Sequence, residues 1–352
     1  MIDITAYPKL RLMDWAKPVF ILFFILLAFT TTQGSERINS VTRASKSMET
    51  FYIGRFSIAI PAEMKEAGGS RSHKVRDFKL SEIVWPKGIS HVKAREAEWK
   101  KYLAEIKKPT LSKTAEEIII KTQVFPRLGK WAEGVFYFAS NSTKTANWAV
   151  LMDTGPVGVW VKTNPPVLID KENRSNNAAK NISTIGKSYH EMDSNTARPK
   201  GDWFYLKHGA INLPYLWQEK SYIRFEGHPL DLKIEIDMDM DAGHKRPQFG
   251  LIEKASATID SGYASAANVS IKNIRSQKRE VAGMPGDEVI DRLTDKDKKT
   301  LDFGWEYIGR KDSGEYPTIR ITMESPDGNL DEKLKIWDAV LDSLKPMFER
   351  NK

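Results

Sequence analysis

Residues 147–163 read NWAVLMD–TGPVG–VWVKT, and this stretch decides the fold class. Two runs dominated by Val, Trp, Leu and Met flank a segment carrying two glycines and a proline. Apolar runs of this length, rich in β-branched and aromatic residues and bounded by Gly and Pro, read as strands. Working outward, residues 131–140 (WAEGVFYFAS) give another strand pattern just before it. In the second half, residues 300–310 (TLDFGWEYIGR) and 316–325 (YPTIRITMES) give two more. Near the start of each half lies an alternating segment that ends at a proline. Residues 51–64 read FYIGRFSIAIPAEM with Pro61, and residues 202–217 read DWFYLKHGAINLPYLW with Pro214. Each reads as a strand and its exit.

Helical spacing appears at three places. Val92, Trp99, Leu103 and Ile106 predict a buried stripe on a helix over 90–107, stopped by Pro109. Ala178, Ile182, Ile185 and Tyr189 predict a second helix, and Leu334, Trp337, Leu341 and Leu344 a third. The third has Asn329 as N-cap, Asp331 and Glu332 in its first turn and Pro346 near its end. The two halves read as loose copies. The expected class is therefore α+β, in two domains, each a mainly antiparallel sheet with helices packed on one face.

The chain has 352 residues, which is long for one domain, and its 41% hydrophobic and 28% charged residues are those of a folded chain. Charge is polarised along it. Residues 35–199 carry 27 Lys/Arg against 17 Asp/Glu, and residues 200–352 carry 24 against 27. The shift supports a boundary in the polar stretch 191–201 (EMDSNTARPKG), giving domains over 35–195 and 196–352. Residues 19–29 (VFILFFILLAF) follow Lys9, Arg11 and Lys17. Eleven residues of helix reach about 17 Å, short of a hydrocarbon core of about 30 Å. The segment reads as an export signal over 1–34, cleaved near Ser35, in preference to a retained anchor. No later stretch is apolar enough to span a membrane.

The chemistry-bearing motifs are sparse. The sequence has no cysteine and six histidines, which excludes disulfides, thiolate zinc sites and a cysteine nucleophile. It contains no G-x-S-x-G, G-x-x-x-x-G-K-[ST], H-E-x-x-H or G-x-G-x-x-G. Residues 237–243 (DMDMDAG) imitate a calcium loop, but the glycine comes one position late and Gln248 replaces the bidentate Glu. Alternation is the better reading. Ile234, Ile236, Met238 and Met240 face a core, while Glu235, Asp237, Asp239 and Asp241 face out. A row of like charges on one strand costs stability, so a partner that supplies Arg or Lys is a further reading of the same four residues. Residues 186–190 (GKSYH) place serine beside histidine, but without a strand-to-helix elbow they read as a helix end. Pro285-Gly286-Asp287-Glu288 reads as a tight turn. Arg71, Lys74 and Arg76 follow Gly68-Gly69-Ser70 as a basic loop able to meet phosphates or acidic side chains. The acidic second half and the export signal disfavour nucleic acid.

Taken together, YIGRFSIAIP (52–61), REVAGMPGDEVIDR (279–292), FGWEYIG (303–309), YPTIRITM (316–323) and the closing helix resemble the type VI secretion lipase immunity proteins of the fourth family. The resemblance is stronger from Arg279 to Leu344 and weaker in the first half, mainly at Gly54–Pro61. It implies a two-domain periplasmic protein that binds a cognate phospholipase effector and blocks it, with no catalytic residues, no metal and no cofactor. Interface residues do not carry over, because such surfaces diverge with each effector. Two other classes stand beside it: an envelope hydrolase with an unrecognised site, and a non-catalytic envelope protein that touches anionic lipid through its basic half.

Overall fold

The computed structural model describes residues 47–108, 118–139, 144–168, 172–192, 198–215, 219–239, 249–260, 269–310 and 313–349. The apolar segment 19–29 and the signal expected over 1–34 lie outside them. Among the described residues no helix is long and apolar enough to cross a membrane.

Among the described residues the order begins with β1 (Met48–Ile53) and β2 (Phe56–Pro61), then β3 (Lys65–Glu66), β4 (Ser72–Val75) and β5 (Phe78–Val84). Helix α1 (His91–Ile106) leads to β6 (Ile119–Val124), β7 (Trp131–Phe138), β8 (Thr145–Asp153), β9 (Val157–Thr163) and β10 (Val167–Leu168). Helix α2 (Glu172–Lys187) is followed by β11 (Tyr189–Glu191), β12 (Trp203–Tyr205), β13 (Gly209–Asn212), β14 (Lys220–Glu226) and β15 (Lys233–Asp239). Helix α3 (Leu251–Asp260), β16 (Val269–Val281), β17 (Met284–Asp295), β18 (Lys298–Tyr307), β19 (Thr318–Pro326), α4 (Leu330–Asp342) and β20 (Lys345–Pro346) complete the order.

Among the described residues the main sheet has fourteen strands, with the path β16-β17-β18-β19-β15-β14-β4-β5-β9-β8-β7-β6, and β10 and β3 added on β8 and β14. Every pairing is antiparallel, as the strand patterns predict. The class is α+β and mainly β. One expectation changes: the halves do not carry separate sheets. β14 lies beside β4, with Lys220 opposite Lys74 and Tyr222 opposite Ser72, so one sheet runs through both halves. The alternating segments also differ from expectation. Each is a hairpin rather than one strand. β1 and β2 turn at Gly54-Arg55, with Ile53 opposite Phe56. β12 and β13 pair with each other, and β13 also pairs β11 across the expected boundary.

Helices cover both faces, not one. On β7, β8 and β9 the side chains of Phe136, Trp148, Val150 and Val161 pack with Ala178, Ile182 and Ile185 of α2. Their sequence neighbours Val135, Ala149, Leu151 and Trp160 pack with Ala94 and Trp99 of α1. Neighbouring side chains on a strand point to opposite faces, so α1 and α2 lie on opposite sides. At the other end of the sheet, α4 packs Trp337 against Phe303 on the α2 side. α3 lies on the α1 side, where Leu251 comes against Gly304 and Lys254 pairs with Glu306 at 2.7 Å.

The helices also correct details of the sequence reading. Ser90 caps α1, its Oγ accepting from the Lys93 amide, but Val92 is exposed, and the buried positions are Ala94 and Trp99. Tyr189 has left α2 for β11, though it is buried. Asn329 is left-handed (φ 50°) and makes no side-chain cap. The turn expected at Pro285-Gly286 comes earlier, at Ala282 and Gly283, both with positive φ. Gly286 sits inside β17 because a Cβ there would fall 2.6 Å from the Trp305 indole. Trp148, Trp305 and Trp337 are completely buried. Burying roughly 150–250 Å² apiece, each contributes of order 4–6 kcal/mol of transfer free energy.

Candidate functional site

The α1 face of the sheet is covered at each end by a helix, and between them it carries charge. Along β15, Ile234, Ile236 and Met238 are buried, and Glu235, Asp237 and Asp239 point to the α1 face half-buried, the alternation the sequence predicts. Met240 and Asp241 lie outside the described residues. β15 is an interior strand, and its neighbours bring cations. Asp239 lies opposite Lys220 and pairs with it; Asp237 lies opposite Arg320; Glu235 lies opposite Arg224 and accepts from the Tyr222 hydroxyl. Burial and the Glu235 carboxylate push that hydroxyl up to about 12. Burial raises the Asp237 carboxyl above the usual range, and Lys220 and Arg320 oppose the rise. One Asp237 oxygen is buried without a hydrogen-bond partner. The repulsion read from the sequence is thus offset in large part by the chain's own cations.

The basic trio separates. Lys74 points to the α1 face. Arg71, 11% exposed, points the other way, pairing with Glu66 at 3.1 Å and donating to the Tyr52 carbonyl. Arg76 is exposed at the tip of the β4–β5 hairpin, with φ 53°. The structure therefore brings Lys74, Glu235, Asp237 and Asp239 onto one surface and leaves Arg71 and Arg76 off it. It adds Lys79, Lys162, Lys220 and Arg320, which sequence reasoning missed. Lys79 was within reach. In S72-H-K-V-R-D-F-K79 a two-residue turn at Arg76-Asp77 sets Lys74 opposite Lys79. Lys162, Lys220 and Arg320 had no such local signal.

Two polar centres hold helices to the sheet, one fixing α1 on this face and the other fixing α4 on the opposite face. Asp153, fully buried at the end of β8, accepts from His91 Nδ1 at 2.8 Å, Gly155 N at 2.9 Å, Arg95 at 3.2 Å and Trp85 Nε1 at 3.3 Å. Burial alone would raise its pKa, but these donors outweigh burial and hold it below the usual range. They fix the first turns of α1, while Arg95 also stacks over Trp131, 4.9 Å from the ring. Glu288, fully buried on β17, accepts from Gln277 at 2.6 Å, Trp337 Nε1 at 2.7 Å, Arg279 at 3.1 Å and Arg275 at 3.3 Å. Arg279 continues to Asp338 and Asp342, tying α4 to β16.

The serine–histidine pair read as a helix end is one: Ser188 Oγ donates to the Thr184 carbonyl, and His190 is exposed on β11. Among the described residues no three acidic or histidine side chains converge as for a metal ion. The surface is thus a charged sheet floor between two helices, an arrangement suited to contact with a macromolecule.

Residues 199–347 match the Tle cognate immunity protein 4 C-terminal domain. That family is one of immunity proteins, not of enzymes. No curated protein sequence matches the chain. Three solved structures share its fold. The apo structure of the immunity protein TplEi of the type VI secretion system of Pseudomonas aeruginosa aligns with a TM-score of 0.66 and 16% identity, over 85% of this chain and 97% of that one. The crystal structure of the Tle4–Tli4 complex gives 0.68 and 16%, over 85% and 97%. TplEi bound to an "L" peptide gives 0.64 and 14%, over 86% and 99%. The Tli4 family match begins inside the polar stretch 191–201.

Proposed function

We propose that this chain is a periplasmic immunity protein that binds a cognate type VI secreted phospholipase and neutralises it by covering its active site or lid. The family match over residues 199–347 carries the reading. The likeness over 85% of the chain to a fold crystallised with Tle4 supports it. Export by the signal over 1–34 puts the protein where such an effector would act. The start of the match near residue 199 supports reading 35–195 and 196–352 as two sequence modules that share one sheet. Blocking an enzyme in this way needs an interface of about 1,200–2,000 Å² in total. The surface between α1 and α3, with Lys74, Glu235, Asp237 and Asp239, is the proposed contact region.

The test is titration of the purified protein against the phospholipase encoded beside it. One equivalent abolishes lipid hydrolysis, and the protein alone hydrolyses no ester. Persistent hydrolysis at stoichiometric excess, or turnover by the protein itself, overturns the reading.

A further inference from the structure

Four strands place four lysines side by side. Lys162 on β9 is opposite Lys79 on β5, Lys79 is opposite Lys74 on β4, and Lys74 is opposite Lys220 on β14. All four point to the α1 face. At about 4.8 Å between strands, the row is about 14 Å long. Like charges directly opposite each other on a sheet are destabilising, and this row has three such contacts in succession. Its two ends are partly compensated. Lys220 pairs with Asp239. Lys162 lies over the rings of Tyr102, at 4.1 Å, and Trp160, at 4.4 Å, near Glu98 and Glu105. Burial and the nearby Lys79 pull its ammonium down to about 8, against those two glutamates. The middle of the row has no such relief. Lys74 and Lys79 form no ion pair among the described residues.

We propose that this lysine row is the docking strip for an acidic segment of the cognate effector. The inference rests on the immunity reading above and names the chemistry its surface selects. Two observations favour a projecting protein segment over a flat anionic membrane. First, the row is flanked by α1, whose Tyr102 ring packs against the Lys162 ammonium, so a planar surface meets the helix before the lysines. Second, the next strand along is acidic, with Asp239, Asp237 and Glu235, which a uniformly negative bilayer would meet with repulsion. A protein segment can set carboxylates over the lysines and a basic residue over β15. The energetic logic is that the row carries repulsion in the free protein and loses it on binding.

The experiment uses the mature protein and two variants, Lys74→Ala/Lys79→Ala and Lys74→Glu/Lys79→Glu. Binding to the phospholipase encoded beside it is followed at low and high salt, and binding to phosphatidylglycerol–phosphatidylethanolamine vesicles is followed in parallel. The alanine variant melts at or above the wild-type temperature, because repulsion has been removed, yet its association rate falls at least about tenfold at low salt. Its salt dependence flattens, and the glutamate variant loses more. If wild-type protein binds the effector but both variants keep its rate, affinity and salt dependence, the docking strip is overturned and the immunity reading stands. If the variants lose only vesicle binding, the row is a lipid contact and the inference is overturned. If wild-type protein does not bind the effector, the immunity reading falls and this inference with it.

Discussion

Arg55 and Glu219, 164 positions apart in sequence, form a two-pronged ion pair: Nε to Oε2 at 2.7 Å and NH2 to Oε1 at 2.6 Å, with both side chains buried. Arg55 occupies the turn of the first hairpin and also donates to the Leu213 carbonyl. Glu219 stands at the entry to β14. The pair ties the N-terminal hairpin to the strand at which the two halves of the sheet meet. Replacing Glu219 by Ala leaves a buried guanidinium without its anion, a loss of about 3–5 kcal/mol. Urea denaturation of the variant checks this; a midpoint unchanged from wild type contradicts it.

Trp337→Phe tests the hold on α4. The benzene ring is kept, while the pyrrole portion and its Nε1 donor to the buried Glu288 carboxylate are lost. A hydrogen bond to a charged group is worth about 1.5–3 kcal/mol, and with the small void added the variant is expected to lose at least that much in chemical denaturation. Glu288 keeps Arg275, Gln277 and Arg279, so the fold survives.

Asp302 provides a pH prediction with an unusual sign. Burial, together with Glu324 and Asp291 on either side, raises its carboxyl from 3.8 to about 6, against Lys298. In that interval the folded state binds a proton that the unfolded chain releases. Stability attributable to this group therefore falls as pH rises from about 4 through 6, and the cost is complete above 6. Asp302→Asn is expected to stabilise the protein at pH 7.5, by about 3 kcal/mol at most. The gain vanishes below pH 4. A thermal melt of both proteins across this range decides it.

Asp153 has the opposite sign. Its carboxyl is held below 3.8 in the fold, so its contribution is present above the unfolded value and is lost as pH falls through the folded one. Asp153→Asn is expected to loosen α1 at neutral pH, with faster amide exchange at residues 91–95 than at the centre of β8. Uniform exchange across both elements would contradict a local role.

Much of the strand content was legible. Residues 147–163 announced two strands because the apolar runs and the Gly-Pro segment are all local signals. The extent of the sheet was not. Lys74 meets Lys220 across 145 intervening positions, and no local pattern encodes such a partner. The same limit governs the surface. Alternation along 234–239 showed which residues leave the core, but the cations that answer them come from β14 and β19. The charge row therefore looked unpaired. Val92 was misread because it fits a helical stripe by spacing, whereas α1 meets the sheet through Ala94 and Trp99. Asp153 and Glu288 sat in sequence as ordinary acids. Their importance lies in donors gathered from several elements.

The first hairpin has a consequence for how the polypeptide emerges from the ribosome. Phe56, Ile58 and Ile60 are fully buried in the finished molecule. Yet β2 completes its pairing on β20, and Ala59 bonds to Ser343, 284 residues later. At about 5–20 residues per second, that tail follows of order 15–60 s after the hairpin is made. For that interval an apolar edge is committed to a partner that does not yet exist. A nascent chain in this condition is a client for a holdase, and one shortened by its last ten residues would remain a client permanently.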